Sequence, residues 1–134
     1  MGTVIVDTDV LGDFLRGDDV AVELVEHYQA GDAAATTDIN MFELYYGAYK
    51  SERSDANVSR LKGLLNTIPV YFTSEDSMEL AGKLAARQEE QGERVGVKDV
   101  LIGSIASLQN EPVLTWNTAD FDRLDGVETL DTGL

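Results

Sequence analysis

Short apolar runs alternate with stretches of helical periodicity along the whole chain. The β-branched run at 3–6 predicts a strand buried on both faces, and a capped helix follows it as far as Leu15. The same reasoning predicts strands at 33–36, 68–72, 112–116 and 127–130, and helices at 20–30, from 37 or 38 to 50, at 58–65, 74–90 and 98–108, with a short helical piece within 117–124. Strands separated by helices indicate an α/β fold, in which helices cover both faces of a parallel sheet.

Length and composition limit the classes of protein to consider. The chain has 134 residues, 43% of them hydrophobic, which suits one folded domain over 1–134. It has no cysteine, so thiolate metal sites and a cysteine nucleophile are excluded, and its one histidine, His27, is expected to be a surface residue. No signal peptide and no apolar run of about 20 residues is visible, which favours a cytoplasmic protein with no membrane association.

The net charge is strongly negative. Ten Lys and Arg against 25 Asp and Glu leave −15, and only four of the ten are Lys. Taken alone, this argues against nucleic acid, because phosphate binding usually requires a basic patch. Proteins from very salty cytoplasm have acidic, lysine-poor surfaces, so we predict a salt-adapted protein, with low stability in dilute buffer as the test. Cations that could act locally, none of them assigned as a binding residue, are Arg16, Lys50, Arg53, Arg87 and Lys98.

Two acids are predicted to lie where strands end. Asp7 directly follows the first strand, and open α/β sheets bind ligands at the carboxyl ends of their strands. Asp7 could instead cap the following helix, a role that Asp9 would fill equally well. Asp120 follows the strand at 112–116 and belongs to the same edge if that strand is parallel to the first. Thr115 or Asn117 could also complete a cluster there, although all three residue types are common in turns.

Two further acids lie on helices. Glu43 shares a helix stripe with Ile39, Tyr46 and Gly47, a face that we expect to be half buried, and a glycine inside a helix suggests the close approach of another group. Asp99 opens the helix at 98–108, where an acid interacts favourably with the helix dipole, and its face points toward the rim of the core. Both acids could therefore be structural, or could be held for a purpose.

Together the acids favour a metal site. Carboxylates about 4 Å apart repel each other by about 4 kcal/mol at an effective dielectric constant of 20, and a cation removes that cost. With oxygen ligands alone, the suitable ions are Mg²⁺ or Mn²⁺. Such a site activates water and neutralises charge on a phosphodiester, which is the chemistry of nucleases and also of phosphatases.

Four segments in order resemble the PIN domain and, within it, the VapC-type ribonuclease toxins. They are Val-Asp-Thr-Asp-Val-Leu at 6–11, Glu-Leu-Tyr-Tyr-Gly at 43–47 with Thr36 or Thr37 upstream, Val-Lys-Asp-Val-Leu-Ile-Gly at 97–103, and Thr-Trp-Asn-Thr-Ala-Asp-Phe at 115–121. The resemblance implies a three-layer α/β/α sandwich with a small, mostly parallel sheet. It also implies a Mg²⁺- or Mn²⁺-dependent endoribonuclease that forms a homodimer and is inhibited by a cognate antitoxin, whose tail enters or covers the groove.

The resemblance also implies an acidic site. Asp7 and Asp99 would hold the ion, Glu43 would orient water or ion, and a fourth polar group would complete the site. Family members place an acid at the position of Asn117 or at that of Asp120, and only the second is acidic here, so Asp120 is the prediction.

Two other families remain open. The Asp-Thr-Asp segment at 7–9 also resembles the nucleophile and acid of haloacid-dehalogenase-like phosphotransferases, but the Asp-Asp signature that closes their site is missing. A non-catalytic receiver domain would carry a Lys after its last strand, and none stands there. A PIN domain that only binds is a further alternative.

Overall fold

The computed structural model describes residues 2–94 and 96–130 and contains four strands and seven helices in that part of the chain. The strands are β1 (Val4–Val6), β2 (Ala34–Thr37), β3 (Val70–Tyr71) and β4 (Val113–Leu114). The helices are α1 (Thr8–Leu15), α2 (Asp19–Ala30), α3 (Asp38–Lys50), α4 (Ser54–Leu65), α5 (Glu75–Glu90), α6 (Val97–Gln109) and α7 (Thr118–Asp122). None of the described helices is both long enough and apolar enough to cross a bilayer.

The four strands form one sheet in the order β3-β2-β1-β4, and every pairing between them is parallel. Ile5 of β1 pairs with Ala35 on one side and with Val113 on the other. Because the strands are parallel, the residues that follow them meet at one edge. Asp7, Asp38 and Thr115 come directly or almost directly after the ends of β1, β2 and β4 there.

Alternate residues of β1 face two separate layers, as strand geometry requires. Val4 and Val6 pack against α1 to α4, whereas Ile5 packs against α5, α6 and α7. The sheet is therefore the middle layer of an α/β/α sandwich, and the predicted fold class is confirmed. The helix face below Asp99 is tightly packed, since a Cβ added at Gly103 would lie 2.9 Å from a methyl group of Leu124.

Two predicted elements differ from the structure. The last strand, predicted at 127–130, is reduced to a single parallel bridge between Thr129 and Val113. Both hydrogen bonds of this bridge involve Val113, whose N–H donates to the Glu128 carbonyl and whose carbonyl accepts from the Leu130 N–H, each at 2.9 Å. Helix α4 begins at Ser54, four residues before its predicted start at 58, because Ser54 and Asp55 suit a first helical turn as well as they suit a loop.

Candidate active site

Asp7 is the most buried acid of this edge, with 7% of its surface exposed. Its Oδ1 accepts hydrogen bonds from the Thr8 backbone N–H at 2.8 Å and from Asn40 Nδ2 at 3.0 Å, and its Oδ2 accepts one from Thr115 Oγ1 at 2.7 Å. Burial raises the pKa of Asp7, and the charge of Glu43 adds to this, while the hydrogen bonds oppose it. Three donors thus hold the carboxylate in one orientation.

Asn40 connects three elements in this site. It is fully buried, and its Nδ2 donates both to Asp7 and to Thr8 Oγ1, the latter at 2.9 Å. Its Oδ1 accepts a hydrogen bond from Thr37 Oγ1 at 2.7 Å, so both ends of the amide are satisfied. Sequence analysis did not identify Asn40 as a site residue. The available signal was its position one helical turn before Glu43, on the same face.

Glu43 is fixed from both sides. Thr8 Oγ1 donates to its Oε1 at 2.8 Å, and Lys98 Nζ lies 3.4 Å from its Oε2. The Glu43 side chain is 23% exposed, in line with the half-buried face that the sequence predicts. The close approach expected at Gly47 is not found, because nothing lies within 4 Å of an added Cβ there.

Asp99 is close to the other predicted acids. Burial, as the largest cause, and the neighbouring charges of Asp7, Asp120 and Glu43 together raise the pKa of Asp99 to about 6. The structure thus brings together four carboxylates from four separate segments. Such mutual repulsion is characteristic of sites that hold a cation or a proton.

Asn117 and Asp120 have different positions at this edge. Asp120 is half-buried and acts on Asp99, whereas Asn117 is exposed. Asn117 Nδ2 donates to Asp120 Oδ2 at 2.5 Å, and its backbone N–H donates to Thr115 Oγ1 at 3.0 Å. Asn117 therefore orients the Asp120 carboxylate, and of these two residues only Asp120 carries a negative charge.

Asp9 is a fifth acid beside this cluster, a residue that the sequence predicts as a helix cap or as the second acid of a phosphotransferase pair. Burial raises the pKa of Asp9 to about 6, with the charge of Asp7 as the second cause. Its Oδ2 accepts a hydrogen bond from the Trp116 N–H at 3.2 Å. Thr115 Oγ1 is also 3.3 Å from Asp9 Oδ2, but the shorter contact gives its single proton to Asp7. The feature of the sequence that could have placed Asp9 in the acidic cluster is the Asp-Thr-Asp segment at 7–9, which holds it close to Asp7.

A groove of about 420 Å³ opens beside Asp9 and Glu43, between α1, α3 and α4. Its walls are largely apolar, and two arginines also line it. The lining residues that matter here are Leu15, Leu44, Leu61, Arg16 and Arg60.

The donor set suits a hard divalent cation. Every candidate ligand is an oxygen, and the pKa values of Asp7 and Asp99 are raised, a shift that a bound cation would reverse. Within residues 2–94 and 96–130, no group of three or more Asp, Glu or His side chains is arranged so that it could hold one metal ion. Mg²⁺ commonly takes only one or two carboxylates and keeps several waters, which is compatible with this arrangement.

The geometry is less suited to a phosphotransferase nucleophile at Asp7. Both carboxylate oxygens of Asp7 accept hydrogen bonds from the protein, and the side chain is almost fully buried. Attack on phosphorus requires a whole phosphoryl group to reach the carboxylate oxygen, which the burial of Asp7 hinders. A metal ion is small enough to reach the lone pair that remains on Oδ2.

Comparison with known proteins agrees with this chemistry. The family model for the PIN domain matches residues 4–127. The tRNA(fMet)-specific endonuclease VapC of Shigella flexneri is 30% identical over 93 residues, which cover 69% of this chain and 70% of that protein.

Two solved structures have the same fold. VapBC2 from Rickettsia felis, bound to a DNA fragment from its promoter, superposes with a TM-score of 0.87 at 24% identity, over 96% of this chain and 97% of that one. A toxin-antitoxin complex from Klebsiella pneumoniae superposes with a TM-score of 0.74 at 26% identity, over 95% of this chain and 97% of that one. With the matched segment spanning the sheet and all four acids, the chain belongs to the PIN domain family, in its VapC branch.

Proposed function

We propose that this chain is a divalent-metal-dependent endoribonuclease that cuts RNA with a metal-activated water. The observation that supports this best is the convergence of Asp7, Glu43, Asp99 and Asp120 at the carboxyl edge of a parallel sheet, where the pKa of Asp99 is raised by burial and by the other three charges. VapC proteins are ribonucleases, and PIN-domain nucleases generally depend on divalent metal ions. The cation proposed here is Mg²⁺ or Mn²⁺.

Each acid has a separate proposed role. Asp7 and Asp99 hold the ion, Asp7 through the carboxylate that Thr115 and Asn40 keep in place. When bound, the ion lowers the pKa of a ligated water and neutralises charge on the phosphodiester. Glu43 orients the attacking water, since Thr8 and Lys98 restrict its side chain without burying it. Asp120 completes the acidic site beside Asp99.

The proposed partners follow from the family. The Klebsiella pneumoniae structure is a toxin-antitoxin complex, and we extend that role to this chain as a toxin with a cognate antitoxin. The groove between α1 and α4 is the proposed seat of the antitoxin tail, which would cover Asp9 and Glu43. A homodimer and a cytoplasmic location belong to the same proposal.

Cleavage of RNA under metal titration tests the function. The parent protein should cut single-stranded RNA only when Mg²⁺ or Mn²⁺ is added, and Asp7→Asn should lower the rate by about 100-fold or more, since one of two proposed ligands loses its charge. Glu26→Gln, at an exposed position of α2, changes net charge equally and should cut at the parent rate. Metal-independent cleavage, or an Asp7→Asn variant as fast as the parent, would refute the assignment.

A further inference from the structure

Helix α3 carries an exposed aromatic stripe, which we define as Phe42, Tyr46 and Tyr49. The three side chains follow each other at helical spacings of four and three residues, so they lie on one face. They are 59%, 56% and 65% exposed, and the rings of Phe42 and Tyr46 stand 6.3 Å apart with planes only 22° from parallel. Exposed apolar patches of this kind mark interaction sites.

The stripe also concentrates positive charge in an acidic protein. Lys50 Nζ lies 5.2 Å from the centre of the Tyr46 ring, and Lys98 Nζ lies 5.8 Å from the centre of the Phe42 ring. Two of the four lysines in a chain of net charge −15 are therefore placed over these rings. An anionic ligand with flat apolar groups matches this combination better than a neutral apolar surface does.

The stripe is continuous with the acidic site. Phe42 directly precedes Glu43, and Lys98 contacts both the Glu43 carboxylate, at 3.4 Å, and the Phe42 ring. From Phe42 to Tyr49 the helix rises about 10 Å, enough for two or three bases of a single strand. A chain lying along the stripe would thus be led to the carboxylates.

We propose that the aromatic stripe of α3 is a base-stacking surface that guides single-stranded RNA into the acidic site, an inference that rests on the proposed ribonuclease function. Every base has a flat face that stacks on an aromatic ring, and this attraction does not require a basic surface. Lys50 and Lys98 supply charges for the phosphates beside the rings. The stripe thereby resolves the conflict between a nucleic-acid substrate and a net charge of −15.

Binding of labelled RNA in an Asp7→Asn background, where cleavage is suppressed, tests the stripe. The probes are a single-stranded RNA of about 12 nucleotides and an abasic strand of the same length, followed by fluorescence anisotropy. Tyr46→Leu combined with Tyr49→Leu keeps both positions apolar but removes two of the three rings. It should weaken binding of the base-bearing RNA by about tenfold or more, with little change for the abasic strand. Tyr46→Phe should bind as the parent does.

Matched variants separate stacking from charge. Lys50→Ala should weaken binding of both the base-bearing and the abasic strand. It should also reduce the slope of log affinity against log salt concentration by about 0.7, the value for one phosphate contact on a single strand. His27→Leu, an exposed ring on α2, and Lys83→Ala, an exposed lysine on α5 beside Leu108, should leave both affinities unchanged. Equal loss in these controls would show a general surface effect and overturn the inference.

Two further outcomes decide the question. If the leucine variants bind and cut RNA like a parent protein that is itself active, the stripe inference fails while the ribonuclease function stands. If the parent cuts no RNA with either metal, the proposed function fails first. Sedimentation equilibrium should give the same mass for parent and variants, because splitting of a dimer by the leucine substitutions would make the stripe an interface between copies and refute its role in RNA binding.

Discussion

Replacing Asp99 with Asn should stabilise the metal-free protein while abolishing its activity. In the metal-free state the Asp99 charge is opposed by burial and by Asp7, Asp120 and Glu43, so its pKa is raised from 3.8 to about 6. A folded-state pKa above the unfolded value means that the folded protein holds this proton more firmly. The resulting stability is present below about pH 4 and is lost as pH rises through 6, so the ionised carboxylate destabilises the fold at neutral pH.

The expected gain can be worked out from that pKa. A change from 3.8 to about 6 corresponds to about 3 kcal/mol. Asp99 is only half-buried, and solvent screening reduces the value to about 1–2 kcal/mol. Asn also loses the favourable interaction of Asp with the first turn of α6, worth about 0.3–1 kcal/mol. A net stabilisation of about 1 kcal/mol remains, or a rise in Tm of about 3–5 °C for a chain of this size.

The assay is thermal and urea denaturation in EDTA at pH 8, with Glu26→Gln as the control of equal charge. The stabilisation by Asp99→Asn should fall to about half by pH 5, where the parent carboxyl is largely protonated in the folded state. In Mg²⁺ the order should reverse, because the ion stabilises only a protein that binds it. An Asp99→Asn variant less stable than the parent in EDTA at pH 8, or a gain equal to that of Glu26→Gln, would refute the clustered-charge reasoning.

Three other outcomes are expected. Below pH 6, Mn²⁺ must displace the proton of Asp99, so the affinity for Mn²⁺ should fall between pH 7 and pH 5. Calorimetry in buffers of different ionisation enthalpy should detect the released proton, and a pH-independent affinity would contradict this. Gly103→Ala should cost about 1–3 kcal/mol in urea denaturation, because its Cβ would lie 2.9 Å from a buried leucine methyl group, whereas Gly82→Ala, with open space around it, should be neutral or stabilising; equal effects would contradict the packing argument. With a net charge of −15, the free energy of unfolding should increase as KCl is raised from about 0.1 to 2 M, and no increase would argue against salt adaptation.

Local patterns in the sequence determine the elements of this protein and the sheet edge where its acids lie. Periodicity and capping are properties of neighbouring residues, which is why Ser74 caps α5 at the predicted start of that helix, and why Thr37 caps α3. Asp7 and Asp120 could be placed at one edge because parallel strands align their carboxyl ends. The prediction of a strand at 127–130 was wrong, because strand pairing depends on a remote partner, and in the described residues this segment forms only one bridge, between Thr129 and Val113.

Only the tertiary structure decides which side chains hold the site together. Two of the three donors to Asp7 come from Asn40 and Thr115, 33 and 108 positions away, and their identity depends on the order β2-β1-β4 in the sheet. A pattern within one segment cannot predict a hydrogen bond to a residue so far away in the sequence. The proximity of Asp120 to Asp99 is of the same kind, since it depends on the packing of α7 against α6. Sequence thus determines what local geometry can specify, while hydrogen bonds between remote segments are specified only when the chain is folded.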